Sequence, residues 1–193
     1  MGKVVHLDEV RAFMGQTPAF RARDIELIVK NRAYALLLMH NLVKRGEVHR
    51  ITRGWYSRLD DPVVTVFAFK PAYLGLQEAL SLQGLWEQET NVILITPRAV
   101  RRGERSIMGS KVFVRKVDKK RFFGFEYLSQ DGFAVPVSDV EKTLIDLVYF
   151  GETPDDEVLA EIRRRADIRR LSRYLEAYPG DFGRRVRSLL RPT

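Results

Sequence analysis

The 193-residue chain is 45% hydrophobic and 30% charged, a composition typical of globular proteins that excludes fibrous and disordered classes. It contains no cysteine, which excludes disulfide scaffolds, thiolate zinc sites and cysteine nucleophiles. The formal net charge of +8 favours a polyanionic partner, because phosphates attract a basic surface and release counterions on binding.

The positive charge is concentrated in two stretches of the chain. Residues 30–58 contain seven lysines and arginines against one acid, Glu47, and residues 98–121 contain ten against two acids. In the rest of the chain acidic residues outnumber basic ones. Two local basic stretches indicate binding surfaces better than a diffuse excess of charge would.

The sequence predicts three helices near the start of the chain. Apolar residues at helical spacing predict a first helix over Leu7–Met14, and a second is expected over Ala22–Val29. Asn31 is suited to cap a third helix that runs to Arg45. Gly46 is expected to end that helix in a left-handed conformation.

A short hairpin is predicted after the third helix. Glu47–Ile51 is expected to form a strand, Thr52-Arg53-Gly54 a tight turn, and Trp55 the start of the returning strand. The polar segment Asp60-Asp61-Pro62 resists continuation of either a helix or a strand. It therefore predicts a boundary between a domain of residues 1–60 and a second domain of residues 61–193.

The second domain is predicted to be mixed α/β with helices at its end. A helix is expected over Leu76–Trp86. Lys111–Val117 alternates charged and apolar residues, as an edge or half-exposed strand would. The other expected strands are Val63–Phe69, Asn91–Thr96, Arg121–Leu128 and Phe133–Val137.

Three helix starts are predicted in the last third of the chain. Ser138 and Glu141 have the spacing of a capping box, in which each side chain satisfies a backbone donor of the other residue. Thr153-Pro154 is expected to begin the next helix, and Asp167 to cap another that ends at Pro179-Gly180. The predicted fold class is α+β: an N-terminal winged helix-turn-helix domain, then a mixed α/β domain with terminal helices.

Three helices followed by a hairpin with a basic tip is the element order of a winged helix-turn-helix domain. Such domains place the third helix in the DNA major groove and the hairpin, or wing, beside it. A buried stripe is expected on one side of the third helix, at Ala35, Leu38, Met39 and Leu42. The predicted DNA-binding residues are Arg21, Arg23, Asn31, Arg32, Tyr34, His40, Asn41, Lys44, Arg50, Thr52 and Arg53.

These residues are expected to have different roles. Arg32 and Asn41 are suited to base recognition, since arginine pairs with guanine and asparagine with adenine. Lys44, Arg50 and Arg53 are suited to phosphate contacts, which position the protein without reading sequence. The alternative for any one of them is an ordinary solvated surface side chain.

The run Leu36-Leu37-Leu38-Met39 does not fit a simple amphipathic helix. A helix cannot turn four consecutive residues toward one core, so Leu36 or Leu37 must face elsewhere. Three alternatives remain open for them: the methyl groups of thymines, a dimer partner, or the second domain.

The second basic stretch has three open interpretations. It is a further nucleic-acid surface, a surface for an acidic or RNA-associated partner, or a solvated loop and hairpin. Its members are Arg98, Arg101, Arg102, Arg105, Lys111, Arg115, Lys116, Lys119, Lys120 and Arg121.

Several segments together resemble a known family. Residues 42–48, LVKRGEV, and 50–56, RITRGWY, resemble the N-terminal winged helix of AbiEi-type proteins. Residues 73–80, YLGLQEAL, and 137–147, VSDVEKTLIDL, resemble their C-terminal domain. AbiEi-type proteins are the antitoxin–repressor components of an abortive-infection toxin–antitoxin system, and the resemblance covers most of the chain up to about Tyr149.

The resemblance implies a transcriptional repressor that binds its own promoter through the N-terminal domain. It also implies that the second domain acts as antitoxin toward a nucleotidyltransferase-like toxin. Double-stranded operator DNA and this toxin are therefore the expected partners. A homodimer is a further alternative, because symmetric operators are read by paired subunits, although the sequence has no clear dimer helix.

The sequence predicts no catalysis, cofactor or metal. Its three histidines lack metal-ligand spacing, and it has neither a glycine-rich phosphate loop nor an HExxH motif. Asp139, Glu141 and Lys142, with Asp146 nearby, form a nuclease-like fragment that keeps a metal-dependent nuclease as the least favoured alternative. The other alternative is a protein-interaction adaptor or antitoxin without specific DNA recognition.

No membrane association is expected from the sequence. The longest apolar runs are too short to span a bilayer, and the chain starts with mixed charges rather than a signal-peptide core. The expected location is the cytoplasm.

Overall fold

The computed structural model describes residues 2–88 and 90–191. Its contacts divide the chain into two compact units: residues up to Lys70 together with Arg105–Val112, and Pro71–Glu104 together with the chain from Phe113 onward. Residues 61–70 thus group with the first unit, whereas the sequence predicts a domain boundary after residue 60. Residues 1, 192 and 193 of the predicted domains lie outside the described residues.

The first unit has the element order of a winged helix-turn-helix domain. The three predicted helices and the hairpin are present, joined by a two-residue strand before the second helix. This strand pairs with the returning strand of the hairpin in a three-stranded antiparallel sheet of order β1-β3-β2. The elements are α1 (Gly2–Gly15), β1 (Phe20–Arg21), α2 (Ala22–Val29), α3 (Arg32–Lys44), β2 (His49–Thr52) and β3 (Trp55–Ser57).

Local signals fix both ends of α3. The Asn31 side chain accepts a hydrogen bond of 2.9 Å from the Tyr34 backbone amide, so the predicted N-cap is confirmed. At the other end the Gly46 amide donates to the Val43 carbonyl and the Glu47 amide to the Leu42 carbonyl. Gly46 has a φ of +70°, which confirms its predicted left-handed conformation.

The core of the first unit confirms the predicted inner stripe of α3. Ala35, Leu38, Met39 and Leu42 are all buried. They pack in one hydrophobic cluster with residues of α1, β1 and α2 and with Val48 before the hairpin. The orientation of α3 follows from this cluster, because burying one stripe leaves the opposite stripe to solvent.

The predicted strand over Val63–Phe69 is wrong, because this segment is helical. A 3₁₀ turn spans Pro62–Val64, and helix α4 spans Thr65–Ala68. The Asp61 carboxylate accepts from the Val63 amide at 2.8 Å, and Pro62 occupies the first position, where no amide hydrogen is needed. The segment is completely buried, and a short apolar run has no period that separates a strand from a buried helix.

The second unit combines a sheet with four helices at its end, which confirms the predicted α+β class. A six-stranded sheet has the order β6-β7-β5-β4-β9-β8, with β4 parallel to β9 and antiparallel to β5. The tip of the β6–β7 hairpin falls within Arg105–Val112, which groups with the first unit. The elements are β4 (Tyr73–Leu74), α5 (Leu76–Leu82), β5 (Val92–Thr96), β6 (Gly103–Ile107), β7 (Ser110–Lys116), β8 (Phe125–Gln130), β9 (Phe133–Ser138), α6 (Val140–Phe150), α7 (Asp156–Arg165), α8 (Ile168–Leu175) and α9 (Gly180–Leu189).

Two strand predictions in this unit need correction. Strand β7 is half-exposed as predicted, but it lies between β6 and β5 and is therefore not an edge. The strand predicted from Arg121 begins only at Phe125, because Lys119–Arg121 forms a 3₁₀ turn.

Two helix starts also differ from the prediction. Asp139 caps α6, with its carboxylate accepting from the Lys142 amide at 2.8 Å, so the capping box at Ser138 and Glu141 is wrong. The Ser138 hydroxyl instead contacts that of Thr143. Helix α7 is capped by Asp155. The predicted cap of α8 at Asp167 is confirmed.

Helix α6 carries a buried ion pair on its inner side. Lys142 and Asp146 are one turn apart, both side chains are fully buried, and the Lys142 ammonium hydrogen-bonds the Asp146 carboxylate. The Tyr73 hydroxyl donates to the same carboxylate at 2.7 Å, and the ammonium lies 3.3 Å from the Tyr178 hydroxyl. Burial raises the pKa of Asp146 and lowers that of Lys142, while their mutual attraction opposes both shifts.

No helix in the described part of the chain is both long enough and apolar enough to cross a membrane.

Candidate nucleic-acid interface

The solvent side of α3 is the first part of the candidate interface. Ala33, Leu37, His40 and Lys44 recur at helical spacing opposite the buried stripe, and all four are exposed. Arg32, Leu36 and Asn41 flank this line and are also exposed. Helix α3 contains no acidic residue, so the whole surface is neutral or positive.

The hairpin β2–β3 forms the wing. Thr52 pairs with Trp55, which leaves Arg53 and Gly54 as a two-residue turn at the tip. Arg50 and Arg53 are exposed, and Thr52 is half-buried. The wing therefore presents two arginines, one on a strand and one at the tip.

The base of the wing is fixed to the start of α2. Arg21 pairs with Trp55 across β1 and β3, and the Arg21 guanidinium lies 4.4 Å from the centre of the Trp55 ring. Stacking on the ring leaves the guanidinium edge able to bind an oxygen acceptor. The Asp24 carboxylate accepts from the Arg21 amide at 2.7 Å, which completes the connection.

Five cations of this surface are unpaired within the part of the chain that the structure describes. Among the described residues, Arg23, Arg32, Lys44, Arg50 and Arg53 make no side-chain ion pair or hydrogen bond. The one acid of residues 30–58, Glu47, is 2.8 Å from Arg11 and 3.9 Å from Arg45. Arg32 and Lys44 belong to the acid-free helix α3, and the other three cations lie on α2 and the wing, so the five together favour the binding of an anion.

Two predicted site residues have a structural part in the helices. Asn31 uses its side-chain oxygen to cap α3, and Tyr34 is half-buried against the core.

Arg23 and Arg32 line a groove of about 410 Å³ between α2 and α3, together with Glu26 and Leu36. His40, Asn41 and Lys44 lie on the outer side of α3 as predicted.

Comparison with known proteins shows a similarity in fold but none in sequence. The sequence matches no family model and no curated protein. The fold is similar to that of RV2827C. In the crystal structure of that Mycobacterium tuberculosis protein, the match covers 91% of this chain and 72% of the other, at 13% identity and a TM-score of 0.62. At this identity the similarity establishes the fold alone.

The sequence approach did not identify Ala33 and Arg58 as interface residues. Ala33 begins the exposed line of α3, and Arg58 is exposed just after the wing without an ion pair among the described residues. The helical period could have identified Ala33, because a residue half a turn before the buried Ala35 must lie on the opposite, exposed side of the helix. Arg58 carries no such signal, since one arginine after a strand is common on surfaces.

The structure does not bring the second basic stretch together on one face. Arg115 and Lys116 are consecutive in β7 and so point to opposite faces of the sheet. Arg121 is bound locally, 3.2 Å from Asp118 and 3.1 Å from the Tyr149 hydroxyl, and Arg115 is 3.4 Å from Glu152. Arg98, Arg101, Arg105 and Lys111 also have interaction partners, and Arg102, Lys116, Lys119 and Lys120 are exposed.

The nuclease-like fragment is part of the α6 packing. Asp139 caps α6 and accepts from the Tyr174 hydroxyl at 2.7 Å, while Glu141 accepts from the Asp167 amide. Burial raises the pKa of both carboxyls, and these hydrogen bonds oppose the rise. Arg170 lies 3.7 Å from Asp139 and 3.6 Å from Glu141. Among the residues described, no group of three or more possible ligands could hold a metal ion.

Proposed function

We propose that this protein is a sequence-specific DNA-binding transcriptional repressor. The proposal depends on one observation: the exposed side of α3 has no acidic residue and is accompanied by the unpaired arginines of the wing. A helix of this size fits the major groove, and base edges lie within reach of its outer side chains.

The proposal divides the cations by task. Arg32, at the first position of α3, is assigned to base edges, because recognition helices contact bases with their N-terminal residues. Arg50 and Arg53 of the wing are assigned to phosphates, as is Lys44 in the last turn of α3. With Asn41 as the second base-reading residue, the surface would combine two specific contacts with several phosphate contacts that supply affinity.

The test begins with duplexes that the full-length protein selects from a random-sequence library. Binding of a selected duplex is measured by fluorescence anisotropy at several salt concentrations. Arg53→Ala should weaken binding to all duplexes and lower the slope of log K against log salt by about one. Arg32→Ala should cost roughly 1–3 kcal/mol on the selected duplex and relax the preference at one base position.

Arg173→Ala is the matched control, since Arg173 is an exposed arginine of α8 in the other unit. It removes the same charge and should leave the binding of the selected duplex unchanged. Selection of no preferred sequence would refute specific recognition. Equal binding by wild type, Arg32→Ala and Arg53→Ala would refute the assignment of α3 and the wing.

We further propose that the repressor is the autoregulating antitoxin of an AbiE-like system and acts in the cytoplasm. This part rests on the resemblance of residues 137–147 and of the winged helix to AbiEi-type proteins. Its expected partner is a nucleotidyltransferase-like toxin encoded next to it. Co-expression with the neighbouring reading frame should yield a complex or relieve toxicity; a neighbour of unrelated type would contradict this part and leave the DNA-binding proposal intact.

A further inference from the structure

The outer side of α3 has an apolar centre. Leu36 is 52% exposed and Leu37 is 56% exposed. Leu37 belongs to the line opposite the buried stripe, and Leu36 lies beside it. Neither side chain is needed by the core, because the buried stripe already holds Ala35, Leu38 and Met39 on the inner side.

Two adjacent exposed leucines in the middle of an interface indicate contact with an apolar group of the partner. Scattered single apolar side chains are ordinary on protein surfaces, and Leu27 of α2, at 74% exposure, is an example. Leu36 and Leu37 differ because they are adjacent to each other on α3, the helix proposed to enter the groove, with Arg32 one turn before them and Lys44 near the helix end. The partner must therefore offer an apolar group within an anionic frame.

Charge decides between DNA and a second copy of this chain. A symmetric dimer through the outer side of α3 would bring the unpaired Arg32 and Lys44 of one copy toward the cations of the other. Like charges across an interface disfavour that partner. The DNA major groove has phosphates at its rims, and thymine places a methyl group on its floor.

We infer that Leu36 and Leu37 contact thymine 5-methyl groups and make the protein prefer thymine at the centre of its recognition site. The inference rests on the proposed function and specifies which base the DNA-binding surface prefers. It assigns to the leucines a specificity that the polar residues of α3 do not supply, because a methyl group forms no hydrogen bond.

The test removes the methyl group from the DNA instead of changing the protein. Each thymine of a selected duplex is replaced in turn by deoxyuridine, which keeps base pairing and lacks the 5-methyl group. At one or two positions the Kd of the full-length protein should rise about fourfold, the equivalent of ~0.8 kcal/mol for one buried methyl group. Leu36→Ala and Leu37→Ala should bind the thymine duplex more weakly and lose the discrimination at the corresponding position.

Leu27→Ala is the control, because it truncates a leucine outside α3 that is even more exposed, and it should keep the fourfold discrimination. Circular dichroism should show that all three variants fold, since the truncated side chains are exposed.

Discrimination that persists in both α3 variants, or the absence of any sensitive thymine, would overturn the inference while leaving DNA binding intact. A wild-type oligomer that dissociates in Leu36→Ala or Leu37→Ala would also overturn it and assign the leucines to an interface between copies. Failure of the wild type to bind any selected duplex would overturn the proposed function as well.

Discussion

Replacing one partner of the buried pair under α6 should destabilise the second unit strongly. Lys142→Met leaves the fully buried Asp146 carboxylate with the Tyr73 hydroxyl as its remaining hydrogen-bond donor. Removing one member of such a pair costs roughly 3–5 kcal/mol, because the other charge stays buried without compensation. With an m-value of about 2 kcal/mol/M, the urea midpoint should fall by roughly 1.5–2.5 M.

The double variant Lys142→Met/Asp146→Leu should be far more stable than the single variants imply. It removes both charges but leaves the Tyr73 hydroxyl without its acceptor and the Tyr178 hydroxyl without its donor, at a cost of roughly 1–3 kcal/mol for each hydroxyl. Replacing both ions by apolar side chains of similar size is often nearly neutral. A double-mutant cycle should therefore give a coupling energy of several kcal/mol.

Tryptophan fluorescence can follow the second unit alone. The chain has two tryptophans, Trp55 in the wing and Trp86, which packs against the core of the second unit. All four proteins of the cycle should therefore carry Trp55→Phe. Their tryptophan fluorescence in a urea titration then comes from Trp86 and reports the unfolding of the second unit. Additive effects of the two single changes, or a loss below about 1 kcal/mol for Lys142→Met, would refute the assigned coupling.

Three further predictions follow from the geometry. Gly124→Ala should cost about 2–4 kcal/mol, because Gly124 has a φ of +70° and an added Cβ would lie 2.8 Å from the Lys142 Cβ; a urea midpoint equal to wild type would contradict this. Asn31→Ala should cost about 0.5–2 kcal/mol through the lost α3 cap, and Asn31→Ser should recover most of it in thermal melts. Burial raises the pKa of Asp139 above its ordinary 3.8, so the folded state holds this proton more tightly and stability should fall as pH rises from that value through the raised pKa. Asp139→Asn, which keeps an oxygen for the α6 cap, should reduce this fall in melts across the same pH range, and an identical pH profile would be the contrary result.

Most helices and turns of the first unit could be predicted from the sequence, because the residues that determine them are close together in the chain. The Asn31 cap, the Gly46 end and the 3.6-residue spacing of Leu38 and Leu42 each depend on neighbours within a few residues. Strand β1 was missed because two residues have no period, and β1 exists through its pairing with β3. Arg21 is predicted from the sequence as a DNA-binding residue, but its stacking on Trp55 depends on that same pairing.

The second unit was harder to predict because its decisive contacts are distant in sequence. Lys142 and Asp146 have the spacing of an ordinary surface ion pair, and their burial depends on Tyr73 and Tyr178, far away along the chain. In the first unit, the segment Val63–Phe69 has no period that distinguishes a strand from a helix, because every one of its residues is buried. The ion pairs of Glu161 with Arg164 and Arg165 were predictable, because they lie within one turn of α7.

The anchoring of the wing has a consequence for how quickly the protein engages a ligand. Because β1 holds β3 by backbone pairing and Trp55 holds Arg21 by ring stacking, the hairpin stem is ordered before any encounter. A preorganised surface loses less conformational entropy on association, and its rate of capture depends on electrostatic steering instead of a folding step. Loosening this anchor with Trp55→Ala would therefore slow association and raise the ordering cost of binding, without removing any charge.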